Sequence, residues 1–382
     1  MKRRHFLAVG CAGCASLIAG RLLAADDWQV PARLQRPALA TDEGGLWSLM
    51  DREETRLRRS PFALRDAGLQ EYVSEIACRL GTEHCADVRV HLVHTPLFNA
   101  SMAPNGMMQV WTGLLLRAEN EAQLAAVLGH ELGHYLSRHS LEQLRDAKSR
   151  SAFAQFLGLF GLVGAVGQLG MLAGSFAYSR EHEREADRIG LLLMRRAGYD
   201  PGQAPKIWEN LLLESKARLK QVPDDPLFAT HPAPEERRDE LAKLAAATPG
   251  GESREETWRA KTRPSVRGWL SDEVKRGQHE ESLALFDRML QRSPLDAEVI
   301  YARAETYRLR GRPGDVDAAL ADYQGAIRAG GEPPAAHRGL GLLYRQRRQL
   351  HEARASLQRY LELAADAPDA PMIRSYVEEL AI

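Results

Sequence analysis

The chain has 382 residues, 44% of them hydrophobic and 27% charged, enough for two or three domains with a sizeable core. Lys+Arg and Asp+Glu balance at 51 each, which excludes the global basic excess of a nucleic-acid-binding chain and leaves proteins or small molecules as partners.

The N-terminus reads as an export signal. Lys2, Arg3 and Arg4 precede an uncharged stretch to Gly20, and small residues near Ala25 offer a cleavage site, so residues 1–25 are assigned to the signal. The Arg-Arg-His-Phe-Leu run also fits a twin-arginine signal; an ordinary secretory signal fits as well, and either implies export from a bacterial cytoplasm. The mature chain then keeps Cys78 and Cys85, seven residues apart. In an oxidising compartment they form a small disulfide loop or remain two packed thiols.

Residues 26–60, punctuated by proline, read as an irregular lead-in to a domain over 61–255. Helical spacing predicts a helix over 69–81, stopped at Gly81, and Val-rich alternation predicts a strand over 87–93. Asn105-Gly106 is a turn signal between two short runs that pair as a hairpin. Asn120, with Gln123 three residues on, opens a helix expected to run to about Lys148. Residues 151–179 carry no charge, a second helix starts at Arg180, and 221–237 is a Pro-rich loop leading into another helix. A Gly/Pro/Thr-rich junction at 248–262 separates a last region, 263–382, that repeats: Gly277 and Gly311 are 34 apart, as are Ala319 and Ala353. That spacing, with Leu340, Gly341 and Tyr344 in phase, resembles tetratricopeptide (TPR) repeats, whose small residues sit where paired helices cross. Such repeats stack into a surface that holds protein segments.

The chemistry concentrates in Leu-Gly-His-Glu-Leu-Gly-His, residues 128–134. On a helix, His130 and His134 at i and i+4 share one face and can ligate one metal, and Glu131, about 100° round, can act as general base on water. His139 falls off that face and reads as a surface histidine. Zinc needs a third protein ligand. On the wheel of residues 179–190, Glu183 and Asp187 fall on the apolar stripe while Glu181, Arg184, Glu185 and Arg188 face away. Buried carboxylates need a partner, so Glu183 fits as third ligand and Asp187 as the acceptor that orients a ligating histidine. A shared metal puts both ends of 151–179 on one side of any membrane. A hairpin would give arms of about 18 Å, too short for a core of about 30 Å. A flexible apolar lid, or peripheral membrane contact, is expected there instead.

HELGH followed some fifty residues later by E-x-x-A-D resembles the zinc metallopeptidase family of HtpX and the CAAX prenyl endopeptidases. With an export signal in front and TPR-like repeats behind, it is most similar to the periplasmic BepA type. The resemblance extends to the segments "NASMAPNG…WTGLL", "SFAYSREHEREADRIG" and "ATHPAPEER". It implies a mostly α (α+β) fold: a zincin-like domain with a small sheet, then an α-helical TPR solenoid. It implies one Zn2+ per chain held by His130, His134 and Glu183, with Glu131 as base and the strand from Met107 to Leu115 as the edge that pairs with substrate. It further implies a periplasmic protease acting on misfolded or stalled outer-membrane proteins, docked through the repeats to their assembly machinery. The rival reading is a TPR-based chaperone or scaffold with a latent or structural zinc site. His231, in Thr-His-Pro, is expected near the centre; it either latches the enzyme as a fourth ligand or packs as a helix-entry histidine.

Overall fold

Thr41 opens the first helix of the described chain: its Oγ1 accepts from Gly44 N at 3.1 Å, and the flanking residues suit the helix dipole. Asp42 and Glu43 lie in its first turn, Arg56, Arg58 and Arg59 in its last. The computed structural model describes residues 28–146, 178–217, 231 and 234–380, of which Arg36–Ile382 belong to one compact unit. The expected signal, most of the apolar stretch 151–179 and most of the loop at 221–237 lie outside the described residues.

This first helix, α1 (Asp42–Arg59), corrects the irregular lead-in expected for 26–60. Leu46, Met50 and Leu57 recur at helical spacing and are buried; the prolines that suggested irregularity all precede it or follow it. Helix α2 (Ala67–Gly81) is capped by Asp66, whose Oδ1 accepts from Leu69 N, and buries Leu69, Val73, Ile76 and Leu80. Cys78 and Cys85 are joined as a disulfide across the turn after this helix.

The sheet has three strands, β1 (Arg89–Val93), β2 (Ala100–Met102) and β3 (Met107–Trp111), in the order β1-β3-β2. The expected hairpin is β2 and β3, antiparallel, with Ala100 opposite Val110. Its turn needs glycine: Gly106 has φ +88°, and a Cβ there would stand 2.1 Å from Asp87 O. The expectation that residues 107–115 form a substrate-pairing edge is overturned. β1 adds to β3 in parallel, Arg89 opposite Met107, so β3 is central with both hydrogen-bonding sides taken. It also ends at Trp111, and Thr112–Arg117 is a short helix, α3. The edge strand next to the hairpin turn is β2.

Helix α4 (Glu121–Leu136) is buried along its whole length. Asn120 Oδ1 accepts from Gln123 N as the expected cap requires, and Gln123 Oε1 accepts from Glu119 N, one residue before the cap, each at 2.9 Å. The helix ends twelve residues earlier than the expected Lys148. Ser137 caps it, Arg138 turns the chain at φ +58°, and α5 (His139–Asp146) starts in a new direction. Helix α6 (Arg180–Arg196) is capped by Ser179 and crosses α4 at close range through glycines. A Cβ on Gly133 would stand 2.8 Å from Ala186 Cα, and one on Gly190 2.9 Å from His130 N. Helices α7 (Gln203–Lys216) and α8 (Pro234–Ala246) pack together beside this pair.

Helix α9 (Glu255–Lys275) starts inside the expected junction at 248–262 and anchors the C-terminal helices to the domain before them. Its Trp258 is buried and donates from Nε1 to Ala118 O at 2.9 Å; its Glu273 pairs with the buried Arg117 of α3 at 3.1 Å. Beyond it lie α10 (His279–Arg292), α11 (Ala297–Arg310), α12 (Asp315–Ala329), α13 (Ala335–Gln346), α14 (Leu350–Leu363) and α15 (Ala370–Glu379). α11 packs on α12 and α13 on α14. The small residues picked out by the 34-residue spacing sit at these crossings: Ala319 and Ala353 are fully buried, and Gly341 faces Leu357 where a Cβ would be 2.7 Å away. The chain is thus mostly helical with a small sheet, succeeded by a helical region. Among the described residues, no helix is long and apolar enough to cross a membrane.

Candidate metal centre

The α4–α6 crossing brings the two chemical motifs together. His130 and His134, one turn apart on α4, point Nε2 toward each other at 3.0 Å. Glu183 enters from the first turn of α6, with Oε1 3.3 Å from His134 Nε2 and Oε2 3.5 Å from His130 Nε2. His231 arrives from a separate segment and places Nδ1 3.2 Å from His130 Nε2 and 3.0 Å from Glu183 Oε1. One ligand atom from each of these four buried residues lies within 4.8 Å of all the others.

These residues fit a divalent metal. Bonds of about 2.0–2.1 Å in a tetrahedron give ligand-to-ligand edges of about 3.3 Å, and the measured separations run from 3.0 to 3.5 Å. Protons alone serve such a cluster poorly, since three converging ring nitrogens cannot all donate and all accept; a cation takes every lone pair at once. Glu131 lies alongside, with Oε1 buried and, among the described residues, without a hydrogen-bond partner, 3.6 Å from His231 Nε2. Burial pushes its carboxyl up to about 7, against partial relief from His231.

Around this group stands a second set of contacts. Asp187 Oδ1 lies 2.9 Å from His130 Nδ1, as expected for an orienting carboxylate. Burial pushes the Asp187 carboxyl up, but Arg237 and then His130 outweigh it and bring it to about 2. Burial, then the Arg237 charge, pull His130 down to about 4, so its ring is neutral and free to ligate at pH 7. Burial and then His130 act likewise on His134, which lies well below the usual imidazole range.

Three neighbours escape a reading of the sequence. Arg237 of α8 is buried and donates from Nε and Nη2 to Asp187 at 2.8 and 2.6 Å, pairs with Glu183 at 2.8 Å, and lies over the Trp208 ring at 4.0 Å. The sole signal for it is its place in "ATHPAPEER", six residues after His231. Tyr178 stacks on His134 with centroids 3.8 Å apart. His139 is the clearest correction. It is 2% exposed, not a surface histidine, and its Nδ1 lies 2.9 Å from His134 Nδ1. The helical wheel misplaces it because α4 ends before it.

Comparison with known proteins finds a likeness over the stretch that holds these residues. The family model for peptidase family M48 matches residues 63–245. The Beta-barrel assembly-enhancing protease of Escherichia coli K12 is 32% identical over 199 residues, 48% of this chain and 40% of that protein. The Mitochondrial metalloendopeptidase OMA1 of Arabidopsis thaliana is 35% identical over 157 residues, 40% of this chain and 31% of that protein. That of Schizosaccharomyces pombe is 33% identical over 193 residues, covering 49% and 55%. The chain therefore spans between about a third and just over half the length of these relatives. The matched stretch, 63–245, holds the four clustered side chains, Glu131, Asp187 and Arg237, and over that length the chain is similar to peptidase family M48.

Proposed function

We propose that the chain is an exported zinc-dependent metalloendopeptidase that hydrolyses internal peptide bonds of misfolded or stalled outer-membrane proteins in the periplasm. The observation that carries the catalytic part is the convergence of His130, His134, Glu183 and His231 with a buried Glu131 oxygen beside them. His130, His134 and Glu183 would hold the metal permanently. When bound, zinc supplies Lewis acidity at the point where these ligand atoms meet.

The chain's own groups then divide the work. Glu131, raised to about 7, is poised to take a proton from an attacking water and return it to the departing amine. Asp187 accepts from His130 Nδ1 and keeps Nε2 aimed at the cluster, and Arg237 holds Asp187 in turn. The open side of β2 is the edge on which an extended substrate would add a strand, since β2 packs against α4 and Met102 of β2 offers its backbone to Glu131. His231 acts as a latch: its Nδ1 lies among the other ligand atoms and its Nε2 faces Glu131, so with a metal bound, water and a peptide carbonyl would have no place.

The export signal expected at residues 1–25, the 34-residue spacing in the C-terminal region and the name of the Escherichia coli relative support the outer-membrane part of this reading. The repeats would dock partner proteins. His231 also favours a second reading, a chaperone or scaffold whose metal site is silent. Zinc stoichiometry and degradation of an unfolded outer-membrane protein, compared for wild type and Glu131→Gln, decide between them. One zinc in both with cleavage only by wild type supports the protease; undiminished function in Glu131→Gln supports the scaffold.

A further inference from the structure

His134 and His130 are oriented by different devices. His130 meets a carboxylate directly, Asp187 at 2.9 Å. His134 meets another imidazole, His139, Nδ1 to Nδ1 at 2.9 Å, and that ring turns its Nε2 toward Glu185 Oε2 at 3.6 Å. The placement of His139 is built, not incidental. The left-handed Arg138 folds the chain back so that His139 reaches under α4. The ring stacks on His182 of α6, centroids 4.2 Å apart and planes 18° apart, and Ser137 Oγ donates to Glu185 Oε1 at 3.0 Å.

We propose that His139, backed by Glu185, is the positioning residue that sets the tautomer of His134 and thereby the strength of metal binding. This rests on the metal site proposed above. For His134 to offer a lone pair at Nε2, its proton must sit on Nδ1 and be donated. His139 can accept it only with its own proton on Nε2, the atom facing Glu185. The opposite arrangement, His139 donating, drives the His134 proton onto Nε2. There it points at His130 Nε2 and Glu183 Oε1, 3.0 and 3.3 Å away, and closes that corner to a cation. Glu185 therefore acts on a metal-facing nitrogen through an intervening ring. It sits two residues beyond Glu183 on α6, so one helix governs two corners of the site.

Two substitutions isolate the acceptor. His139→Asn keeps an oxygen where Nδ1 stands; His139→Leu fills the space without one. Cobalt(II) affinity, read by its visible spectrum in competition with a chelator, should be near wild type in His139→Asn and about 10- to 100-fold weaker in His139→Leu, with unchanged circular dichroism. A folded His139→Leu that binds cobalt as tightly as wild type overturns the proposal, as does a folded His139→Asn as weak as His139→Leu. Should either variant fail to fold, long-range proton–nitrogen correlation spectra of the metal-free, 15N-histidine-labelled wild type decide. Protons on His134 Nδ1 and His139 Nε2 support it, and the reverse pair overturns it. A wild-type chain that binds no cobalt would instead sink the metalloprotease reading, while the tautomers stay readable without metal.

Discussion

His231 Nδ1 lies 3.0 Å from Glu183 Oε1, the two arriving from segments 48 residues apart to meet inside a buried cluster. On the proposed latch, a ring so placed would compete with water for a bound metal. His231→Ala should therefore raise proteolysis, by about tenfold if the open form is populated about one part in ten. Metal content should stay at one per chain, because three ligands remain. Initial rates on an unfolded protein substrate, with metal measured on the same samples, test this; an unchanged or lower rate at equal metal content counts against the latch.

Arg237 is a buried cation between two buried carboxylates, Asp187 and Glu183. Arg237→Met keeps much of the bulk over Trp208 and removes the charge. In the metal-free protein this leaves uncompensated carboxylates and should cost about 3–5 kcal/mol. Added zinc should recover part of that loss, since a second cation reaches Glu183. Thermal unfolding with and without zinc reads both effects. Equal midpoints for variant and wild type would show that the cation neutralises nothing of consequence.

Gly133 lets α6 approach α4 closely enough for Glu183 to reach the histidines. Gly133→Ala puts a methyl 2.8 Å from Ala186 Cα and O, and should cost about 1–3 kcal/mol while weakening metal binding as the helices part. Gly45→Ala on α1 meets nothing within 4 Å and should be neutral or gain up to about 1 kcal/mol from helix propensity. Urea unfolding of both, with a metal titration of the first, checks the contrast. Similar behaviour of the two variants would mean that the helix contact is not limiting.

Glu54 offers a pH test away from the metal centre. Burial pushes its carboxyl up, but bonds from Arg89 and His91 more than offset this and draw it from 4.5 down to about 2. The lowered folded value means a stabilisation that is complete above about pH 4.5 and lost as the pH falls through about 2, worth about 3 kcal/mol. Glu54→Gln removes the charge at every pH. The stability gap between wild type and variant should narrow steadily from pH 5 to pH 2.5, as read by urea midpoints. A gap of constant size would assign the effect to packing instead of charge.

The juxtaposition at the centre is legible in the sequence wherever it depends on helical periodicity. His130 with His134, and Glu183 with Asp187, are each four residues apart on helices whose caps, Asn120 and Ser179, stand in the sequence. Gly106 likewise announces a turn that requires a positive φ. Errors arise where a local rule is carried past its element. Extending α4 beyond Leu136 misplaces His139, because Arg138 turns the chain there. A hairpin implies only one neighbour for strand 107–111, and nothing in its residues shows that β1 adds on the other side. Helix α1 is hidden by the prolines flanking it.

The sequence by itself determined which side chains share a face, because spacing along one helix or strand translates directly into direction. Only the tertiary structure decided which faces meet. Arg237 joins Asp187 from 50 residues away, His231 joins His130 from 101 residues away, and Arg117 joins Glu273 from 156 residues away. Such pairings are chosen by how whole elements exclude water and neutralise buried charge together, a collective balance that no short window of residues contains.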